Sequence, residues 1–238
     1  MKTNLKRRQG FTLVELLVVI VIIAALAALT APMVIRQRRK ADQTQATNNA
    51  RQIGMAMFEF EAEYGSFPDS STADTVTKNT ATSLTLGNSS SNDYFRQLIA
   101  AGIAQNEEMF YAKTSYTKKP DNVFNTPATA LIAGENGFGY LLNGTSGFSV
   151  SGNSARPLAI TPLLNAQTDG TCDPDMFDGK AVVLRMDNSV QSYSIRTTDK
   201  KVIVPGGRTL LETGDDTPWG SSGVTPTLSA PEKKSGAS

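Results

Sequence analysis

Between Phe11 and Ile35, 21 of 25 residues are apolar, and the run Leu16–Leu29 is unbroken for 14 residues. A block this apolar needs lipid or other helices around it. At helical rise its 25 residues cover roughly 37 Å, enough to cross a ~30 Å hydrocarbon layer with some tilt. The 14-residue centre alone is equally compatible with the apolar region of a secretory signal. In the rest of the chain about a third of the residues are apolar. That supports one modest core.

Composition removes several chemistries. The 238 residues carry a net charge of +1, so no overall bias toward nucleic acid exists. There is no histidine and one cysteine. Ser-His-Asp and Cys-His catalysis, His-ligated zinc, an internal disulfide and a CxxC redox pair are therefore excluded. Phosphate-loop, dinucleotide and nucleophile-elbow signatures do not occur.

Three fates of the apolar block compete. A signal peptidase cutting at Ala25-Leu26-Ala27 would release a soluble exported protein. An uncut block would be a plain membrane anchor. A cut before the block, after Gly10, would retain it as a helix. Glu15 separates them. An isolated carboxylate in an apolar helix costs about 2.5 kcal/mol or more. A signal region gains nothing from it, whereas a helix that meets a cation does. Cleavage after Gly10 creates such a cation, the new amine of Phe11 on a neighbouring copy.

Lys2, Lys6, Arg7 and Arg8, followed by Gly10-Phe11-Thr12-Leu13-Val14-Glu15-Leu16-Leu17, resemble the prepilin cleavage and methylation motif of the type IV pilin superfamily, which includes the pseudopilins of type II secretion. The resemblance covers roughly residues 5–65. It implies a prepilin peptidase cutting between Gly10 and Phe11, N-methylation of Phe11, and an assembly role for Glu15 against a neighbour's terminal amine. Pro32 falls where many pilins carry a helix-distorting proline, and a proline removes one i to i−4 hydrogen bond and kinks or opens a helix. Four basic residues before the block and four after it (Arg36, Arg38, Arg39, Lys40) leave orientation undecided by charge. The resemblance places the leader in the cytoplasm. The second basic cluster is read either as a lipid-headgroup contact or as a partner for acidic groups in a filament.

Beyond the block, Ala46, Ala50, Ile53, Met57, Phe60 and Tyr64 mark one helical face, with Arg51, Glu59, Glu61 and Glu63 on others. Gly65 and Pro68 stop the helix. Residues 66–92 read as a Ser/Thr/Asn-rich surface loop. Asp93 caps a short helix through Ile103. Strands are expected at Ala130–Ala133, Phe138–Leu142, Leu158–Thr161 and Val202–Val204. A hairpin is expected from Ala181–Met186 and Ser189–Ile195 around Asp187-Asn188. The expected fold is α+β: a long N-terminal helix, apolar then amphipathic, packed on a C-terminal antiparallel sheet. The domain scheme is leader 1–10, membrane and assembly helix 11–35, amphipathic continuation 36–65, head 66–214 and an irregular tail 215–238.

One acidic loop, Asp169, Asp173, Asp175 and Asp178, offers oxygens for calcium, although its spacing is not that of an EF-hand. Major pseudopilins often hold calcium in the head, so the resemblance adds to that expectation; a solvated acidic loop is the plainer reading. Cys172 is expected to be an unpaired thiol and Trp219 a packing residue.

The expected function is that of a structural subunit rather than an enzyme. The subunit stands in the inner membrane with its head in the periplasm, and polymerises through its N-terminal helix into a type II secretion pseudopilus or a type IV pilus-like filament. The resemblance implies as partners other copies and other pilin-like subunits, a prepilin peptidase, a membrane platform with its ATPase, and lipid. An adhesive or motility pilus subunit is the near alternative; an exported or membrane-tethered binding protein or envelope enzyme is the distant one.

Overall fold

The computed structural model describes residues 12–221 and 223–237. The fold is α+β and pilin-like, with helix α1 (Leu13–Tyr64, 52 residues) first and an antiparallel sheet last. Two units are delimited between Arg38 and Arg39.

In the first unit every residue from Thr12 to Arg38 is exposed, including Leu16, Ile20, Ile23 and Leu26. Secondary structure is helical through Pro32, where the missing N–H leaves the Ala28 carbonyl without its usual donor. Two residues earlier the Thr30 hydroxyl donates to the carbonyls of Leu26 (3.1 Å) and Ala27 (3.3 Å). A polar side chain is thereby satisfied within an apolar helix.

In the second unit the expected face of α1 forms part of the core: Ala46, Ala50, Ile53, Met57 and Phe60 are fully buried, while Tyr64 is half-buried. Asn49 and Glu61 are buried too. Asn49 Nδ2 donates to the carbonyls of Glu108 and Tyr111, both at 2.8 Å, and so ties a short 3₁₀ turn (Glu108–Phe110) to the helix. Glu61, expected on an outer face, instead accepts the Val150 N–H at 2.8 Å. The helix ends where Gly65 takes a φ of +86°, a left-handed stop that glycine adopts without strain.

Residues 66–92 are not a surface loop. Phe67 is fully buried, its N–H bonds to the Phe148 carbonyl at 2.9 Å, and helix α2 spans Ser70–Thr80. A reciprocal cap starts α2: Asp69 Oδ1 accepts the Ser71 and Thr72 N–H groups, and the Thr72 hydroxyl accepts the Asp69 N–H. Ala73 and Val76, three apart, are buried. That apolar pair is all the periodicity the polar composition allowed, which hid the helix. Helix α3 (Ser91–Ala100) begins three residues earlier than expected, because Ser90 is its N-cap and Asp93 is the third residue of the capping box.

The sheet comprises β1 (Gly139–Asn143), β2 (Pro157–Thr161), β3 (Lys180–Arg185), β4 (Val190–Ile195), β5 (Val202–Ile203) and β6 (Pro226–Ser229). Its order is β5-β4-β3-β2-β1-β6, with every neighbouring pair antiparallel. The apolar runs Leu158–Ile160 and Ala181–Leu184 are buried throughout rather than alternately, as in strands covered on both faces. Ala130–Ala133 forms turns, not a strand.

The tail is also not wholly irregular. β6 pairs with β1 from Tyr140↔Ser229 to Asn143↔Pro226, with Leu228 buried. Its prolines and glycines hid a four-residue strand. Pro226 is tolerated there because it opens an edge strand, where a missing N–H costs little.

Candidate functional site

Gly10 and Phe11, the expected cleavage and methylation pair, lie outside the described residues. Glu15 lies in the first turn of α1. Its Oε2 accepts the Thr12 N–H at 2.9 Å and the Thr12 hydroxyl at 2.7 Å, while the Glu15 N–H points back at Thr12 Oγ1 at 3.3 Å. Thr12-x-x-Glu15 is therefore a capping box. This local role of Glu15 was readable in the sequence from the spacing alone. It fixes the carboxylate at the positive end of the helix.

Of the basic cluster after the apolar block, Arg39 stands 3.8 Å from Asp175. Farther along α1, Asp42 pairs with Lys113 at 2.9 Å and Gln43 Nε2 donates to Ser192 Oγ at 2.9 Å.

The four aspartates predicted to hold calcium are not drawn together. Asp169 Oδ1 accepts the Thr171 hydroxyl and N–H, which hold its carboxyl below the usual range. Asp173 Oδ1 accepts the Asp175 N–H at 2.9 Å, Asp175 turns to Arg39, and Asp178 takes a φ of +54°. The Asp169 and Asp173 oxygens so used serve turns in their own loop, the ordinary fate of Asp in such a sequence. Among the described residues, the carboxylates that converge are Glu107, Asp121 and Glu135, with one oxygen from each within 4.8 Å of the others. No sequence spacing announced this group, because irregular backbone brings it together.

Cys172 is buried and unpaired, and burial pushes its thiol up. Trp219 is buried, stacks on Phe148 with 5.9 Å between ring centres, and donates its indole N–H to the Leu210 carbonyl. Both residues serve packing.

A lone helix that is apolar and exposed in its first half, then built into the core of an antiparallel sheet unit, defines the pilin-like class. The comparisons carry this further. The prokaryotic N-terminal methylation motif matches residues 5–31, and a family described as a protein of unknown function (DUF1559) matches residues 36–130. With that motif at its start the chain is type IV pilin-like, as the resemblance implied. No curated protein and no solved structure matches.

Proposed function

We propose that this chain is a structural subunit of a type IV pilus-like filament, with a secretion pseudopilus as the preferred setting. In this reading a prepilin peptidase cuts between Gly10 and Phe11 and Phe11 is N-methylated. The helix then rests in the inner membrane until a membrane platform and its ATPase move it into the filament. The head occupies the periplasm.

One observation carries the reading: Glu15 sits in the first turn of a helix that is long and apolar enough to cross a membrane, within the residues that the methylation motif matches. In lipid the carboxylate is costly. In a bundle of such helices the Phe11 amine of an incoming copy neutralises it, and lipid contacts are exchanged for helix contacts. That charge pairing also sets the axial register between copies. The capping box holds Glu15 at the helix start, close to where a terminal amine would arrive.

The experiment is mass spectrometry of the protein from native membranes together with a Glu15→Leu variant. A mature N-methylated Phe11 terminus supports the reading, as does a variant that is processed normally yet absent from sheared or detergent-extracted filaments. A terminus near Ala27, or normal incorporation of the variant, overturns it. The compartment of the wild-type filament, periplasmic or on the surface, decides between pseudopilus and adhesive or motile pilus.

A further inference from the structure

The connection between α3 and β1 carries two fully buried carboxylates, Glu107 and Glu135. They meet exposed Asp121, and the three are spaced fourteen residues apart. Apart from the short turn at Glu108–Phe110, this stretch has no helix or strand to hold its shape.

Local partners account for only part of the trio. Glu107 Oε1 accepts the Leu131 N–H, and the Glu107 N–H donates to Asn122 Oδ1 at 2.9 Å. Glu135 Oε2 accepts the Ile132 N–H at 3.0 Å, and Asp121 Oδ1 accepts the Val123 N–H at 2.9 Å. Glu107 Oε2 has no hydrogen-bond partner although its side chain is wholly buried. Lys118 Nζ lies 3.2 Å from Glu135 Oε1, out of hydrogen-bonding alignment. Three carboxylates against one ammonium leave a formal charge of −2.

A buried carboxylate oxygen left without a donor is expensive, and like charges at this spacing repel. A divalent cation removes both costs. Two oxygens that share a calcium ion at its usual bond lengths stand up to roughly 5 Å apart. The convergence of the trio within 4.8 Å meets that condition.

We propose that Glu107, Asp121 and Glu135 bind a hard divalent cation of the calcium class, distinct from the Asp169–Asp178 loop. The ion clamps three turns of an irregular segment to one another. Asp121, as the exposed member, is where the ion enters.

The test uses the full-length protein in detergent, stripped with chelator, and titrated with calcium chloride while Tm and heat of binding are followed. A saturable rise in Tm of about 5 °C is expected near a hundredfold excess over Kd. Asp121→Asn, at an exposed position and so free of folding damage, should weaken binding at least tenfold. Asp173→Asn should leave it unchanged. The proposal is overturned if calcium, magnesium and manganese at about 5 mM all leave Tm and the calorimeter trace flat, if Asp121→Asn responds as the wild type does, or if Asp173→Asn abolishes the response. It is equally overturned if Glu107→Gln leaves Tm in chelator unchanged while the wild type ignores calcium, which would make Glu107 a neutral acid.

Discussion

Gly54 of α1 lies against Asn188 at the tip of the β3–β4 hairpin, so close that a Cβ on residue 54 would stand 2.1 Å from Asn188 Oδ1 and 3.1 Å from Leu184 Cδ1. The helix and the hairpin approach here at the distance that only a hydrogen atom on Cα permits. Gly54→Ala gains up to ~1 kcal/mol of helix propensity but overpacks the contact by roughly 1–3 kcal/mol. A net loss of about 1–2 kcal/mol is expected from urea unfolding. Asn188 has a φ of +60°, so Asn188→Gly is tolerated. In that background the cost of Gly54→Ala should fall below ~0.5 kcal/mol; an unchanged cost would mean that the contact does not govern the substitution.

Asp69 links two places at once. Its Oδ1 caps α2, and its Oδ2 accepts the Gly147 N–H at 2.9 Å. Burial raises its carboxyl, but the Gly147, Ser71 and Thr72 donors together outweigh that and hold it below its ordinary value of 3.8. A lowered folded value means a stabilisation fully present at neutral pH, lost as pH falls through 3.8 toward the lowered value. Asp69→Asn should cost about 1 kcal/mol at pH 7. The gap from wild type, followed by thermal melts at decreasing pH, should narrow only in that acid range.

The C-terminal segment closes the sheet edge and also holds loops in place. The Ser91 N–H donates to the Ala230 carbonyl at 2.9 Å, Gly134 to Glu232 at 2.7 Å, and Lys234 to Tyr116 at 3.0 Å. Truncation after Thr225 should lower stability by roughly 3 kcal/mol or more and speed proteolysis in the 130s. Leu228→Ala alone should cost about 2 kcal/mol, the low end for a buried leucine. A tail that can be removed without effect on the urea midpoint would contradict its place in the sheet.

Pro32→Ala restores a donor for the Ala28 carbonyl and stiffens the helix. Residues around it are exposed, so the melt of the second unit should move by less than ~0.5 kcal/mol. If bending at Pro32 serves extraction from lipid, filament yield should fall while that melt stays put; equal yield would remove the role given to this proline.

Much of the architecture was legible because its signals are local or periodic. The face Ala46–Phe60, the Gly65 stop, and the hairpin at Ala181–Ile195 each depend on residues within a few positions of one another. What escaped notice was polar. Ser90 and Asp69 begin helices through caps rather than apolar periodicity, and β6 hides among prolines. Glu61 and Asn49 sit on the buried side because particular backbone groups, Val150 N–H and the Glu108 and Tyr111 carbonyls, come to meet them.

The methylation motif, the apolar block and Glu15 determined the class of the protein without any fold, since transfer to lipid and the cost of a charge there depend on composition and order alone. Tertiary structure alone decided which acidic residues converge. Of the aspartates close in sequence, Asp169 and Asp173 spend oxygens on their own turns and Asp175 faces Arg39. Glu107, Asp121 and Glu135 meet because the chain between α3 and β1 folds back on itself, and burial then leaves Glu107 Oε2 and Glu135 Oε1 without a hydrogen-bond donor.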